Sequence, residues 1–177
     1  MTDDPKSARW DAAQEGAELL TEGEPQLAID ELERVLEDDP DNEYAYFFLG
    51  NAHFELSQLD KAMKAYVLAL ERAPEYVGAM VALGHTLRLL GRHEQALRMG
   101  HQVLARDKDD TDALYLMGLS HYARGESAAA VRYLERFLQS GPEIETAQEV
   151  HGLLEILRGG VAPGGVLDGS SLPEGDE

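Results

Sequence analysis

Apolar residues recur along this chain at intervals of three and four, the spacing of one face of an α-helix. Short polar breaks containing Gly, Pro, Asp or Asn interrupt the pattern at regular distances. The pattern predicts eight helices, near 5–22, 26–37, 43–56, 60–72, 77–90, 94–106, 111–124 and 127–139. A ninth helix is predicted from about Ile144 to Arg158, where Val150, Leu154 and Leu157 share one apolar stripe. No segment has the alternation expected of a β-strand.

The predicted helices form pairs that repeat every 34 residues. Two sets of small residues keep this interval, namely Gly16, Gly50, Gly84 and Gly118, and Ala28, Ala62, Ala96 and Ala130. Small residues at these positions let the two helices of a pair approach closely. The turns share the register through Gly23, Gly91 and Gly125, with Ser57 in the second unit, and we expect them to adopt the left-handed conformation that ends a helix. Pro40, Pro74 and Pro142 close three units, and we expect them in the first turn of the following helix.

This pattern resembles the tetratricopeptide repeat, whose 34 residues carry W-x2-L-G-x2-Y, then A-x3-F, then P. The second unit carries the match through Tyr46, Leu49, Gly50, His53, Ala62, Tyr66, Ala69 and Pro74. The resemblance implies an all-α fold, a right-handed α-α superhelical solenoid of four tetratricopeptide repeats plus a C-terminal capping helix. We expect an N-terminal extension and helix start at 1–8, the repeats at 9–142, the capping helix at 143–158 and a disordered acidic Gly-rich tail at 159–177.

Charge and composition narrow the possible functions. The 177 residues include no cysteine, which excludes disulfides and thiolate metal sites, and the formal charge is -19. Residues 1–42 carry 14 acids and 3 bases, and residues 145–177 carry 7 acids and 1 base. Such acidic ends argue against nucleic acid and anionic lipid as partners. Because no apolar stretch could span a bilayer and the first residues lack a signal-peptide pattern, we predict a cytoplasmic protein without membrane insertion.

The resemblance also implies where a partner would bind. In such arrays the second, fifth, ninth and twelfth residues of each unit line a concave groove, and six of these sixteen positions are aromatic here. Even half exposed, six rings would offer about 450–750 Å² of apolar surface, enough for an interaction site. The predicted groove residues are Trp10, Tyr44, Phe47, Asn51, Phe54, Val81, His85, Arg88, Tyr115, Leu119 and Tyr122.

These residues predict a non-catalytic adaptor or chaperone-like module that binds an apolar or amphipathic segment of another protein, either helical or extended. Relatives that clamp acidic C-termini need Lys, Asn and Arg at positions that are occupied here by Ala13, Ala17, Phe48, Gly78 and Ala82. The apolar groove is instead similar to that of bacterial secretion chaperones of this repeat class. Three alternatives remain open: superhelical curvature buries some rings, the C-terminal tail fills the groove, or the chain self-assembles as a homodimer or scaffold.

Catalysis is a remote alternative. The sequence contains no HExxH, GxxxxGK[ST] or strand-linked GxGxxG motif. His53 and His121 occupy a packing position where the repeat usually has Tyr, so we expect them in the core. The polar groove residues Asn51, His85 and Arg88 are the one cluster that could form an active site. We predict no catalytic residue, no metal site and no cofactor.

Overall fold

The computed structural model describes residues 5–159, which contain nine α-helices and no β-strand. The helices are α1 (Pro5–Thr21), α2 (Pro25–Asp38), α3 (Glu43–Glu55), α4 (Leu59–Arg72), α5 (Val77–Leu89), α6 (His93–Leu104), α7 (Thr111–Ala123), α8 (Ser127–Gln139) and α9 (Ile144–Leu157). Every predicted helix is present, with both ends within two residues of the predicted position. Residues 1–4 of the expected N-terminal extension and nearly all of the expected disordered tail, residues 160–177, lie outside the described residues.

Helix pairs stack in sequence order to form a superhelical solenoid. Each helix packs against the next one along the chain, and α1, α3, α5 and α7 also contact one another in succession. Three glycines of the 34-residue period, Gly16, Gly50 and Gly118, lie where the two helices of a pair meet, whereas Gly84 faces Leu116 on α7 of the next pair. Gly118 shows why they are needed, because a Cβ at this position would lie 2.5 Å from Leu134 Cδ2 on the paired helix. The all-α tetratricopeptide solenoid predicted from the sequence is therefore confirmed.

The turns within the pairs also agree with the prediction, whereas the prolines do not. Gly23, Gly91 and Gly125 have φ between 74° and 78°, and Ser57 adopts the same left-handed conformation with φ of 57°. The prediction that prolines occupy the first turn of the next helix is wrong. Pro40, for example, follows the C-cap of α2 and precedes the N-cap of α3. Its ring restricts Asp39 to an extended conformation (φ -132°, ψ 90°), so the proline ends one helix instead of starting another.

A polar cluster fixes α1 against the start of α3. The N-cap residue of α3, Asn42, is fully buried, and its Oδ1 accepts hydrogen bonds from the backbone N–H groups of Tyr44 and Ala45. Its Nδ2 donates a 2.9 Å hydrogen bond to the carbonyl of Arg9 on α1. The Arg9 guanidinium also pairs with Asp39 at 2.8 Å. Because Trp10 follows Arg9, this cluster places its ring beside the first turn of α3.

The core is a row of clusters instead of one central mass. Buried residues from neighbouring helix pairs form each cluster, as with Leu83, Leu87 and Leu116 in the middle of the array. At the C-terminal end, Val150 and Leu154 of α9 pack with Leu134 of α8. The opposite face of α9 is exposed.

Candidate functional site

Five aromatic side chains form a closed ring on the first helices of repeats 1 and 2 and at the start of α5. Trp10 lies 5.2 Å from Tyr44 between ring centroids, and Tyr44 lies 5.6 Å from Tyr76. Phe47 continues the ring, 4.9 Å from Tyr76 and 5.3 Å from Phe48. Phe48 closes it at 5.7 Å from Trp10. These distances and the tilted or edge-on angles are those of favourable aromatic pairs, so the five rings form one connected apolar surface, here called the aromatic cluster.

Next to the aromatic cluster, the Tyr66 hydroxyl and the Asn51 amide form a polar pair that lines a cleft. Tyr66 of α4 is buried, and its ring lies 6.1 Å from that of Phe47. Its hydroxyl donates a 2.8 Å hydrogen bond to Asn51 Oδ1 on α3. The amide nitrogen of Asn51 has no partner among residues 5–159 and is not sealed from solvent. The adjoining cleft of about 350 Å³ is lined by Ala17, Leu20, Thr21, Phe48, Asn51, Phe54, Glu55 and Tyr66. Asn51 is thus held by its oxygen and offers N–H donors at an apolar cleft.

Repeats 3 and 4 contribute a second group of rings with two basic residues. The imidazole of His85 on α5 lies 6.0 Å from the ring of Tyr115 on α7. Tyr115 in turn lies 4.8 Å from Phe137, a buried residue of α8. Arg88 follows His85 by one helical turn, and its Nε is buried without a hydrogen-bond partner among residues 5–159. This end of the predicted groove therefore combines aromatic rings with a cation that no described acid neutralises.

Burial governs the electrostatics of this second group. It lowers the pKa of His85 to about 4, with a smaller contribution from the positive charge of Arg88, so the imidazole is neutral at pH 7. Burial also lowers the pKa of Arg88 below its usual range. The pKa of Tyr115 is raised by burial and by the negative charge of Glu149, against the opposing effect of Arg88. No carboxylate contributes to the shifts of His85 or Arg88.

The predicted groove residues differ in how far they are accessible. Trp10 and Tyr122 are the most open, with 45% and 42% of their surface exposed. The other nine are half-buried, namely Tyr44, Phe47, Asn51, Phe54, Val81, His85, Arg88, Tyr115 and Leu119. Among them, Phe47 and Phe54 also pack against the buried core. Part of each of these rings supports the fold, and the remainder is available at the surface.

Three ring positions of this surface are absent from the sequence-based set. By sequence, Phe48 is only a departure from a carboxylate clamp, Tyr76 is the last residue of its unit, and Tyr66 belongs to the second helix of its pair. Phe48 could have been identified from the sequence, because it directly follows Phe47, which occupies a predicted groove position. Tyr76 joins the aromatic cluster through the packing of α5 on α3, which the repeat pattern does not describe.

The three residues of the catalytic alternative do not form one site. Asn51 is bonded to Tyr66, whereas His85 contacts Tyr115, and no described contact joins Asn51 to His85 or Arg88. Within residues 5–159 no group of three or more His, Asp or Glu side chains could hold a metal ion. In the same part of the chain, no helix is both long and apolar enough to cross a membrane.

Comparison with known proteins agrees with this geometry. The sequence pattern of the family described as the cytochrome c-type biogenesis protein H TPR domain matches residues 9–147. The chain therefore belongs to this family of tetratricopeptide repeat domains.

One curated relative and two solved structures illustrate the likeness. The chain is 24% identical to human Superkiller complex protein 3 over 140 residues, which cover 75% of this chain and 9% of that protein. It thus spans less than a tenth of that relative's length. The MamA structure from Desulfovibrio magneticus RS-1 superposes with a TM-score of 0.71 at 19% identity, covering 90% of this chain and 88% of that one. The YrrB structure gives a TM-score of 0.67 at 18% identity and covers 88% and 84%. These structures share the fold.

Proposed function

We propose that this chain is a non-catalytic adaptor or chaperone-like module that binds an apolar or amphipathic segment of a partner protein along its groove. The observation that carries the proposal is the aromatic cluster, in which five connected rings keep part of their surface accessible. Partly exposed aromatic side chains are the residues that most often dominate binding energy at protein interfaces. A cytoplasmic location is part of the same proposal.

The polar group beside the cluster supports a peptide as the ligand. Asn51 has its oxygen bonded to Tyr66, so its amide nitrogen can donate to a backbone carbonyl without first breaking a protein contact. A peptide segment supplies both apolar side chains and backbone acceptors. YrrB, which has the same fold, is described as a TPR protein with an unusual peptide-binding site. That description applies to YrrB, and it is consistent with peptide binding here.

The test uses peptides selected on the protein itself. A display library of random twelve-residue peptides is selected against the full chain, and the enriched sequences are synthesised with a fluorescent label. We expect them to be rich in apolar residues, and we expect Trp10→Ala and Tyr122→Ala each to weaken binding by about 1–3 kcal/mol. Fluorescence polarisation measures this loss. Both residues are more than 40% exposed, so circular dichroism should show little change in folding.

Leu27→Ala is the matched control. Leu27 lies on α2, outside the predicted groove, and 51% of its surface is exposed, so its truncation removes a similar apolar surface from another face. Binding of the selected peptides should be unchanged in this variant. Equal binding by all three variants would refute the groove as the site, and a selection that enriches no peptide would refute peptide binding.

Self-assembly is the second candidate, favoured by the exposed end helix. Ile144 at the start of α9 has 76% of its surface exposed, although it is a large aliphatic residue. Burial of such residues against a second copy would stabilise a homodimer. Sedimentation analysis at several protein concentrations measures the fraction of dimer. If a dimer forms through this helix, Ile144→Ser should convert it to monomer. A species that is monomeric at every concentration would exclude it.

A further inference from the structure

Arg88 differs from the other partly buried arginines within residues 5–159 because no residue in this range neutralises its charge. Its Nε is buried without a hydrogen-bond partner, and no ion pair joins the guanidinium to any residue within 5–159. Arg9, by comparison, pairs with Asp39 and Glu43, and Arg72, whose Nε also lacks a hydrogen bond, pairs with Asp41 and Glu71. A partly buried cation without an oxygen partner is costly, because burial removes hydration that no protein group replaces.

The neighbours of Arg88 within residues 5–159 place no acid against the guanidinium. Burial and Tyr115 are the influences on the pKa of Arg88, and no carboxylate is among them. His85, one turn away on the same helix, presents a neutral imidazole beside the Tyr115 ring. A neutral imidazole offers one N–H donor, and a guanidinium offers several in a planar fork that fits both oxygens of a carboxylate.

We propose that His85 and Arg88 form an anion subsite that binds a single carboxylate of an otherwise apolar partner segment. This rests on the proposed function, since the apolar part of the same segment would contact the aromatic cluster. A run of acids is disfavoured, because the chain has a net charge of -19 and Glu149 lies close enough to act on Tyr115. One carboxylate neutralises Arg88 without adding further repulsion. The site is therefore distinct from a clamp that requires an acidic C-terminal motif.

A structural role for Arg88 is the competing explanation. The residue lies in the last turn of α5, where the helix dipole stabilises a positive charge without any ligand. The two explanations differ in one measurable respect. Only an anion subsite predicts that binding affinity depends on the negative charge of the ligand.

The experiment compares matched peptides on matched variants. Each apolar peptide selected from the display library is made in two forms, one with its carboxylates and one with every carboxylate, including the C-terminal one, replaced by the amide. Both forms are titrated into the full chain by fluorescence polarisation. We expect amidation to weaken binding about tenfold to a hundredfold, the range for a hydrogen bond to a charged group. Restoring the carboxylates one at a time then shows whether a side chain or the C-terminus supplies the anion.

Three variants test whether Arg88 causes the preference for the carboxylate form of the peptide. Arg88→Gln should bind both peptide forms equally and about as weakly as the wild type binds the amide form. Arg88→Lys keeps the charge without the fork and should retain a reduced preference. Arg98→Gln, an equal charge change at an exposed residue of α6, should keep the full preference. Circular dichroism and urea unfolding establish that each variant is folded.

The outcomes separate this inference from the proposed function. If amide peptides bind the wild type as well as carboxylate peptides and still lose affinity for Trp10→Ala, the groove function stands and the anion subsite is refuted. A carboxylate preference that survives in Arg88→Gln also refutes it. If the Arg88 Nε–H resonance of the unliganded chain shifts when the acids at 168, 174, 176 and 177 become amides, the anion comes from the chain itself and a partner carboxylate is excluded. Failure to select any peptide would overturn both proposals.

Discussion

Tyr66 on α4 and Asn51 on α3 are joined by a 2.8 Å hydrogen bond from the phenol to the amide oxygen. The bond connects a buried residue of the second helix to a residue at the edge of the cleft. Tyr66→Phe removes the donor, and we expect the free energy of unfolding to fall by about 1 kcal/mol because Asn51 can bond to water instead. Urea denaturation measures the change.

Tyr46→Phe is the matched control for that variant. The Tyr46 ring lies under the guanidinium of Arg72, at 5.0 Å from the centroid, and its hydroxyl makes no hydrogen bond within the described part of the chain. Its stability should be unchanged within a few tenths of a kcal/mol. Equal losses in the two variants would show that the Tyr66–Asn51 bond contributes nothing specific.

Substitution of glycine by alanine should have opposite effects on stability at Gly118 and at Gly152. A Cβ at Gly118 would lie 2.5 Å from Leu134 Cδ2 and 2.6 Å from its Cγ, so Gly118→Ala should destabilise the chain by about 1–3 kcal/mol. At Gly152 on α9 an added Cβ would meet no described atom within 4 Å, so Gly152→Ala should stabilise by about 0.5–1 kcal/mol through helix propensity. Thermal unfolding of both variants tests the pair, and a stabilised Gly118→Ala would contradict the close approach of α7 and α8.

His85 should make stability depend on pH below neutrality. Its pKa is about 4 in the folded chain and about 6.5 when unfolded, so the unfolded chain binds more protons between these values. The contribution of the neutral imidazole is complete above pH 6.5 and is lost as the pH falls towards 4. Between pH 6.5 and pH 4, the free energy of unfolding of the wild type should fall by about 2 kcal/mol more than that of His85→Gln, a value that allows for the partial exposure of the side chain. Urea unfolding at several pH values measures it, and parallel curves for the two proteins would contradict a depressed pKa.

The His121–Glu126 pair should add a dependence at lower pH. The His121 ring nitrogen lies 2.6 Å from Glu126, and this hydrogen bond is the main reason that the pKa of Glu126 lies below its usual value. A depressed carboxyl pKa stabilises the fold above the unfolded value of about 4.5, and this stabilisation is lost as the pH falls further. Glu126→Gln should therefore lose less stability than the wild type as the pH falls into the acidic range.

The second repeat contains the natural equivalent of that variant. There His53 lies 2.8 Å from Gln58, the position that corresponds to Glu126. Glu126→Gln should thus preserve the geometry of the turn while removing the charge. If acid unfolding is the same in wild type and variant, the pair has no part in acid sensitivity.

The sequence predicted the elements of this fold more fully than it predicted the site. Gly50 and Gly118 lie in the same register of the 34-residue period, which indicates close helix contacts because such contacts require small residues at fixed positions. Ser57 could be assigned a left-handed turn because it shares the register of three glycines. The prediction for Pro40 is wrong because a proline suits either side of an interhelical link, and the number of residues between the C-cap and the next N-cap decides.

The surface of the candidate site was only partly predictable because it depends on how the repeats stack. Trp10 and Tyr122 could be identified from their positions within a unit, and both are exposed. The contact of Tyr76 with Phe47 requires the packing of α5 against α3, which position within a unit does not specify. Likewise, Arg88 could be placed in the groove from sequence, but the lack of a described acid within its reach emerges only from the folded chain.

The stacking of helix pairs has one consequence for how a bound segment would act. The first pair, α1 and α2, contacts α3 but nothing further along the array, and α8 has no contact with the first two pairs. The free chain can therefore open at one end while the other end stays folded. A segment lying from Trp10 to Tyr122 would touch parts of the chain that otherwise never meet, so loss of either end would also release the ligand. Binding would thereby make the separate repeats unfold as one unit.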